Sequence, residues 1–214
     1  MKTILSVLAL FCALGVSAAN DYWNLFMALP ADYRHLPESP IGEGLELSKD
    51  TLFKQTRNKL VHTYSWAVPN DEVIQSIVQV SKDCGLVDFG AGTGYWASLI
   101  AGEGVEVEAI DNWIDGKPEH LHYPVITGSY ELLPKFRDRV LLLVWPPRAT
   151  RMAVRAVEAH AGRVLVYVGE PAPARSTASP EFFDYVSQHF KLVSHVTIPQ
   201  WFNRYDGVFI YERR

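Results

Sequence analysis

Three glycines and one aspartate have the spacing of a site for a nucleotide cofactor. Gly90, Gly92 and Gly94 follow the short apolar run 86–89, which is typical of a strand that ends in a tight turn before a helix. Because glycine has no side chain, a ligand can approach the backbone and the helix N-terminus there. Asp111 ends the next predicted strand, where an acid can accept hydrogen bonds from both hydroxyls of a ribose. The pattern therefore predicts a site for an adenosine cofactor.

The spacing within the glycine run separates two classes of cofactor. Dinucleotide sites favour Gly-x-Gly-x-x-Gly, which places a pyrophosphate at the helix N-terminus. Here the third glycine comes one residue early, at Gly94, and Tyr95 holds the position that the pattern reserves for glycine. The charge of Asp88 would repel a pyrophosphate but suits the ammonium of a methionine moiety. S-adenosylmethionine (SAM) is therefore favoured over a nicotinamide cofactor, and a turn with no ligand is the remaining alternative. The residues predicted to hold SAM are Asp88, Gly90, Ala91, Gly92, Gly94, Tyr95, Asp111 and Asn112.

The elements around this run alternate between strands and helices, which predicts a doubly wound α/β sheet. The last two predicted strands are joined by only eight residues, 199–206, too few for a parallel crossover, so they must run antiparallel. The predicted fold class is α/β, a Rossmann-like sheet of seven strands that is mostly parallel and ends in an antiparallel hairpin. The predicted strands cover 86–89, 105–110, 123–127, 139–145, 163–169, 191–198 and 207–211.

Composition limits the partners that this chain of 214 residues is expected to have. Hydrophobic residues make up 48% and charged residues 21%, which is ordinary for one globular domain. The formal charge of -4 argues against nucleic acid as a partner, because proteins that track phosphates carry a basic patch. The seven histidines show no spacing typical of metal ligands, so no metal is predicted, and His120 and His122 are expected in a solvated loop.

The first 18 residues predict a signal peptide. Lys2 gives a short positive start, 4–16 is an apolar stretch too short to span a bilayer, and 16–18 supplies the small residues of a cleavage site. Cleavage would export the protein without a stable membrane anchor. The alternative is a buried N-terminal helix in a cytoplasmic protein, which would place the chain where SAM is made. Cys84 would be the only cysteine left, so no internal disulfide is expected.

The rest of the chain divides into an N-terminal arm, 19–62, and a cofactor-binding domain, 63–214. The arm is rich in proline and glycine, with a short helix expected near 51–62. Trp66, just after the arm, is expected to pack on the sheet rather than to contact the cofactor.

The glycine run resembles the first motif of the class I SAM-dependent methyltransferases, in the form Asp88-x-Gly90-x-Gly92-x-Gly94. Asp111 resembles the ribose-binding acid of their second motif. The resemblance implies methyl transfer from SAM to a small-molecule acceptor. A non-catalytic binding module with the same fold is the alternative. A narrower likeness, to a poorly characterised branch of methyltransferase-like proteins, rests on the segments 64–69, 92–97, 142–147 and 168–170.

Candidate catalytic residues follow the fourth and fifth strands. In amino-methyltransferases of this fold, an Asp or Asn before Pro-Pro holds the target amine, whereas here Trp145 precedes Pro146 and Pro147. An indole only donates hydrogen bonds, so nitrogen methylation is disfavoured. Trp145 is either an aromatic wall of the site or part of a rigid turn.

Glu170 follows the fifth strand and has two interpretations. It acts on the substrate, as a general base or a ligand, or it is a solvated acid. The loop 200–206 should lie at the same edge, where it is either a binding rim or surface packing.

Overall fold

The computed structural model describes residues 20–35, 51–113, 116–172 and 176–214. The predicted signal peptide, 1–18, lies outside the described residues, as does the proline-rich part of the arm at 36–50. Export therefore stays a prediction. Within the described ranges, no helix combines the length and the apolar character needed to cross a membrane.

The helices and strands match the predicted alternation. The helices are α1 (Asp21–Met27), α2 (Thr51–Thr63), α3 (Asp71–Ser81), α4 (Tyr95–Gly102), α5 (Met152–His160) and α6 (Pro180–His189). Short 3-10 helices cover Ala31–Tyr33 and Tyr130–Phe136. The strands are β1 (Arg34–His35), β2 (Leu86–Phe89), β3 (Val107–Asp111), β4 (Ile126–Thr127), β5 (Val140–Val144), β6 (Val164–Gly169), β7 (Phe190–Thr197), β8 (Gln200–Trp201) and β9 (Gly207–Arg213).

The main sheet has the strand order β4-β3-β2-β5-β6-β9-β7. Strand β9 runs antiparallel to both of its neighbours, β6 and β7, and the other neighbouring pairs are parallel. This is the Rossmann-like fold of the class I methyltransferases, and the predicted fold class is confirmed. The central strands β5 and β6 are apolar along their length because helices cover both of their faces. Their carboxyl ends meet the carboxyl end of β2 at one edge of the sheet.

Local sequence explains why the helices begin where they do. The side chain of Asn70 accepts a hydrogen bond of 3.0 Å from the backbone N–H of Val73 and so caps α3. Pro180 is in the first turn of α6, where backbone N–H groups have no acceptor within the helix, so a proline there costs no hydrogen bond. Both starts agree with the boundaries that capping residues predict.

The connection between β3 and β4 differs from the expectation. The predicted strand 123–127 shortens to two residues, and the described part of the connection forms no helix. Instead, the backbone N–H of His122 donates to the carbonyl of Thr93 at 2.8 Å, and the hydroxyl of Tyr123 donates to the carbonyl of Val107 at 3.1 Å. The His122 ring also stacks on Tyr64. The loop is therefore packed against the glycine loop and β3, although the His122 side chain remains exposed.

The described residues of the arm belong to the same core as the sheet. Tyr22 and Phe26 of α1 are fully buried there, and Phe53 of α2 is 7% exposed. Strand β1 pairs antiparallel with β8, so that Arg34 lies opposite Trp201. Sequence patterns gave no indication of this pairing, because both strands have only two residues. The arm thus closes over the carboxyl edge of the sheet through the loop between β7 and β9.

Candidate cofactor and acceptor site

The glycine loop between β2 and α4 adopts backbone angles that favour glycine. Gly92 has φ of +56° and Gly94 has φ of +73°. A Cβ added to Gly94 would lie 3.0 Å from the Cβ of Tyr123, so this glycine allows the packed loop to approach. Among the residues that the structure describes, only the two chain neighbours can lie within 4 Å of a Cβ added to Gly92. The backbone at Gly92 therefore faces open space that a ligand can enter.

Asp111 ties the end of β3 to the glycine loop. One carboxylate oxygen, Oδ2, accepts from the backbone N–H of Gly92 at 2.9 Å, and Oδ1 accepts from the backbone N–H of Trp113 at 2.8 Å. A carboxylate has about four acceptor positions, so these two bonds leave capacity for hydroxyl donors of a ligand. Asp111 is half-buried beside the open face of Gly92. The next residue, Asn112, is exposed at the same edge.

Asp88 is a buried acid without a partner among the described residues. Its side chain is 1% exposed, and neither carboxylate oxygen has a hydrogen bond there. Burial, and then the negative charge of Asp111, raise the pKa of Asp88 to about 8. An ionised carboxylate in such a place is costly unless a cation pairs with it. The site therefore has unmet capacity for a positively charged group next to the glycine loop.

Tyr95 differs from the other predicted cofactor residues because its side chain is committed to the arm. Its hydroxyl donates to Oδ1 of Asn20 at 3.0 Å and accepts from the backbone N–H of Tyr22 at 3.1 Å. Only the backbone of Tyr95, at the start of α4, remains beside the loop. Gly90 and Ala91 are half-buried in the loop itself.

Trp145 lies at the carboxyl end of β5, as expected of either alternative for this residue. Its backbone has φ of +52°, a strained value for a residue with a large side chain. The indole Nε1 donates to Oδ1 of Asp206 at 2.8 Å, and the ring stacks on Trp66 with centroids 5.1 Å apart. Pro146 is buried and Pro147 is exposed. Trp145 is therefore a partly exposed aromatic surface that other side chains hold in place.

Glu170 ends up buried rather than solvated. Its side chain is 3% exposed, and Oε2 accepts from the backbone N–H of Ser176 at 2.8 Å. Its other oxygen lies 3.9 Å from Nη1 of Arg204. The solvated-acid alternative is wrong, because the side chain is buried and bonds to the backbone of Ser176. Glu170 positions Ser176 and Arg204 at the edge of the sheet.

Asp206 is a site residue that sequence reasoning did not single out. It ends the loop 200–206, which was expected at this edge as a rim, and it is 2% exposed. Burial raises the pKa of Asp206 to about 7, although the hydrogen bond from Trp145 opposes that shift. Its position directly before the last strand could have marked this acid as a candidate site residue, but nothing in the sequence predicts its burial.

Two arginines lie beside Trp145 in the candidate site. The guanidinium of Arg57, on α2, lies 5.2 Å from the ring centre of Trp66 and 6.0 Å from that of Trp145. The guanidinium of Arg204 lies 5.9 Å from the ring centre of Trp145. We call Arg57, Trp66, Trp145 and Arg204 the Trp–Arg cluster. No group of histidines, cysteines and acids within the described ranges has the arrangement of a metal site.

Comparison with known proteins gives solved structures of similar fold, while no family model and no curated protein matches the chain. Magnesium protoporphyrin IX methyltransferase from Synechocystis PCC 6803, with bound S-adenosylhomocysteine, is 12% identical, with a TM-score of 0.49 over 91% of this chain and 94% of that one. A SAM-dependent methyltransferase from Archaeoglobus fulgidus is 13% identical, with a TM-score of 0.47 over 77% of this chain and 100% of that one. A tRNA (uracil-54, C5)-methyltransferase from Pyrococcus abyssi is 17% identical, with a TM-score of 0.42 over 65% of this chain and 37% of that one. At these values the comparisons assign no activity, and the fold assignment rests on the strand order.

Proposed function

We propose that this chain binds SAM at the glycine loop and transfers its methyl group to a small-molecule acceptor. The observation that carries the proposal is Asp88, a buried carboxylate without a partner in the described structure, next to the open backbone of Gly92. The methionine part of SAM has the ammonium that such a carboxylate lacks, and Asp111 retains acceptor capacity for a ribose. The residues present thus fit the cofactor at both of its ends.

Each residue of the site has a distinct task in this reaction. Bound SAM would supply a methyl group on a positively charged sulfur: an electron pair of the acceptor forms the new bond to the methyl carbon while the sulfur–methyl bond breaks, and S-adenosylhomocysteine leaves. Asp88 binds the ammonium, Gly92 leaves room for the ligand, and Asp111 holds the ribose. Trp145 forms the wall against which the acceptor lies. Most of the rate enhancement then comes from holding the acceptor in line with the methyl group.

Asp206 is the group best suited to take a proton from the acceptor. Its pKa of about 7 lets it act as a base near neutral pH, and its bond to Trp145 places it beside the acceptor wall. Glu170 is the candidate base that the sequence offers, but its hydrogen bond from Ser176 and its position near Arg204 favour a positioning task.

Calorimetric titration with S-adenosylhomocysteine (SAH) tests the cofactor assignment. Free Asp88, with a pKa of about 8, is mostly protonated at pH 7, and an arriving ammonium favours its charged form. We expect binding to release about one proton per SAH at pH 7, measured as a dependence of the binding heat on the ionisation enthalpy of the buffer. The Asp88→Asn variant should release none. NAD should not bind; an affinity for NAD equal to that for SAH overturns the assignment.

The Asp111→Ala variant tests the ribose contact. Hydrogen bonds to charged groups contribute about 1.5 to 3 kcal/mol, so the affinity for SAH should fall roughly ten- to a hundred-fold. The free energy of unfolding should also fall, because the bonds from Gly92 and Trp113 are lost. Glu108→Ala, on the same strand, is the control and should leave the affinity unchanged. An Asp111→Ala affinity within about two-fold of the original removes Asp111 from the site.

A non-catalytic binding module is the second candidate, and the stack of Trp66 on Trp145 favours it. This stack covers the wall where an acceptor would lie. Such a module binds SAH in the same way but transfers no methyl group from labelled SAM to any component of a cell extract.

A further inference from the structure

We infer that the methyl acceptor is a small planar molecule with a carboxylate, which Arg57 and Arg204 bind beside the indole of Trp145. The carboxylate orients the acceptor, and the methyl group goes to a different atom, whose proton passes to Asp206. The inference rests on the proposed function, since it names the acceptor class of the same site. Its starting point is the placement of two cations from separate parts of the chain. Arg57 comes from α2 of the arm and Arg204 from the loop after β8, and both lie about 6 Å from the ring centre of Trp145.

The two guanidinium groups have donors that nothing else uses. Nε and Nη2 of Arg57 and Nε of Arg204 are buried and have no hydrogen-bond partner among the described residues. Buried charged donors without acceptors are destabilising, so each such group calls for an explanation. A carboxylate is the planar acceptor that matches the fork of a guanidinium. The unused donors therefore point to an acidic ligand rather than to a neutral one.

The electrostatics of the two arginines support the same ligand class. Burial, and next the positive charge of Arg204, lower the pKa of Arg57. Asp206 accepts from the indole of Trp145, and Glu170 accepts from the backbone of Ser176 and lies 3.9 Å from Nη1 of Arg204. Neither acid accepts a hydrogen bond from the unused Nε and Nη2 donors. An anion between the two guanidinium groups would relieve their mutual repulsion.

The aromatic residues of the Trp–Arg cluster indicate the shape of the rest of the ligand. Trp66 is 39% exposed and stacks almost parallel on Trp145, with an angle of 11° between the rings. Displacement of this one exposed side chain uncovers the face of Trp145 next to Arg57. A flat apolar body fits against that face in place of the Trp66 ring.

Titration of the full chain with benzoate and with benzamide tests the inference. The two probes have similar shapes, but only benzoate carries a charge. In the presence of SAH, benzoate should bind at least ten-fold more tightly than benzamide, measured by calorimetry and by tryptophan fluorescence. Arg57→Gln should weaken benzoate binding at least ten-fold and leave benzamide binding unchanged. Lys59→Gln, which removes an exposed charge from the same helix, is the matched control and should bind benzoate as before.

The outcomes separate this inference from the proposed function. If SAH binds but benzoate and benzamide bind equally or not at all, the acceptor class is wrong and the proposed function stands. An equal loss in Arg57→Gln and Lys59→Gln also overturns it, because the effect is then one of overall charge. If Arg57→Gln does not fold, Arg204→Gln replaces it and must show the same selective loss. If benzoate binds and SAH does not, the proposed function fails and the acceptor assignment falls with it.

Discussion

Asp88→Asn is expected to raise the free energy of unfolding by about 6 kcal/mol at pH 9 and by only about 1 kcal/mol at pH 4.5. The cause is the burial of this acid beside Asp111, which raises its pKa from 3.8 to about 8. Between these two values the folded protein binds a proton that the unfolded chain releases. Stability therefore falls as the pH rises through that window and is constant above it. An amide in the same place is neutral at every pH and avoids this loss.

Urea unfolding at the two pH values measures the effect. Asp83→Asn is the control, since Asp83 is exposed just before β2. It should change the unfolding free energy by the same small amount at both pH values. A difference between Asp88→Asn and the original protein that does not depend on pH would show that Asp88 titrates normally. Asp88 would then not be a buried, unpaired acid that is available to bind the ammonium of the cofactor.

Gly92→Val is expected to abolish SAH binding, with a loss of affinity of more than about a hundred-fold. Apart from its two chain neighbours, no described residue has an atom within 4 Å of the added Cβ position, so the valine side chain fills the space through which the ligand reaches the loop. The positive φ of Gly92 adds a folding penalty of about 1 to 2 kcal/mol for any residue with a side chain. The binding loss must therefore be separated from the loss of stability.

Gly104→Val provides that separation. Gly104 has φ of +87° and also has nothing within 4 Å of an added Cβ, but it lies in the turn between α4 and β3 at the opposite end of the sheet. The Gly104→Val variant should lose as much free energy of unfolding as the Gly92→Val variant does, but it should bind SAH with the affinity of the original protein. If Gly92→Val binds SAH within a few-fold of the original protein, the open face of the loop is not the cofactor site.

The parts of the fold that the sequence predicts are those specified by local patterns. The strand at Leu86–Phe89 has its predicted bounds because apolar residues stop at the glycine loop. Asn70 caps α3 because its side chain bonds within three residues. The antiparallel direction of β9 followed from the short loop before it. In each case, the information lies within about ten residues of the element.

The parts that the sequence does not predict depend on contacts between distant segments. The pairing of β1 with β8 brings together residues such as Arg34 and Trp201, and neither strand is long enough to show the alternation of apolar and polar residues that indicates a strand. The burial of Asp206 and the position of Arg57 both depend on how the arm lies on the sheet. The surroundings of Trp145 were therefore only partly predictable, whereas the position of the glycine loop followed from the glycine run.

The contact between the arm and the last hairpin has a consequence for the order of folding. The indole of Trp201 donates to the hydroxyl of Tyr22 at 3.1 Å, across 179 residues of sequence. During synthesis, the arm leaves the ribosome long before β8 does, so this contact cannot form until the chain is nearly complete. Closing so large a loop is also entropically slow. The parallel strands β2 to β6 and the glycine loop can thus assemble first, whereas the last hairpin of the sheet and the enclosure over Trp145 must wait for the end of the chain.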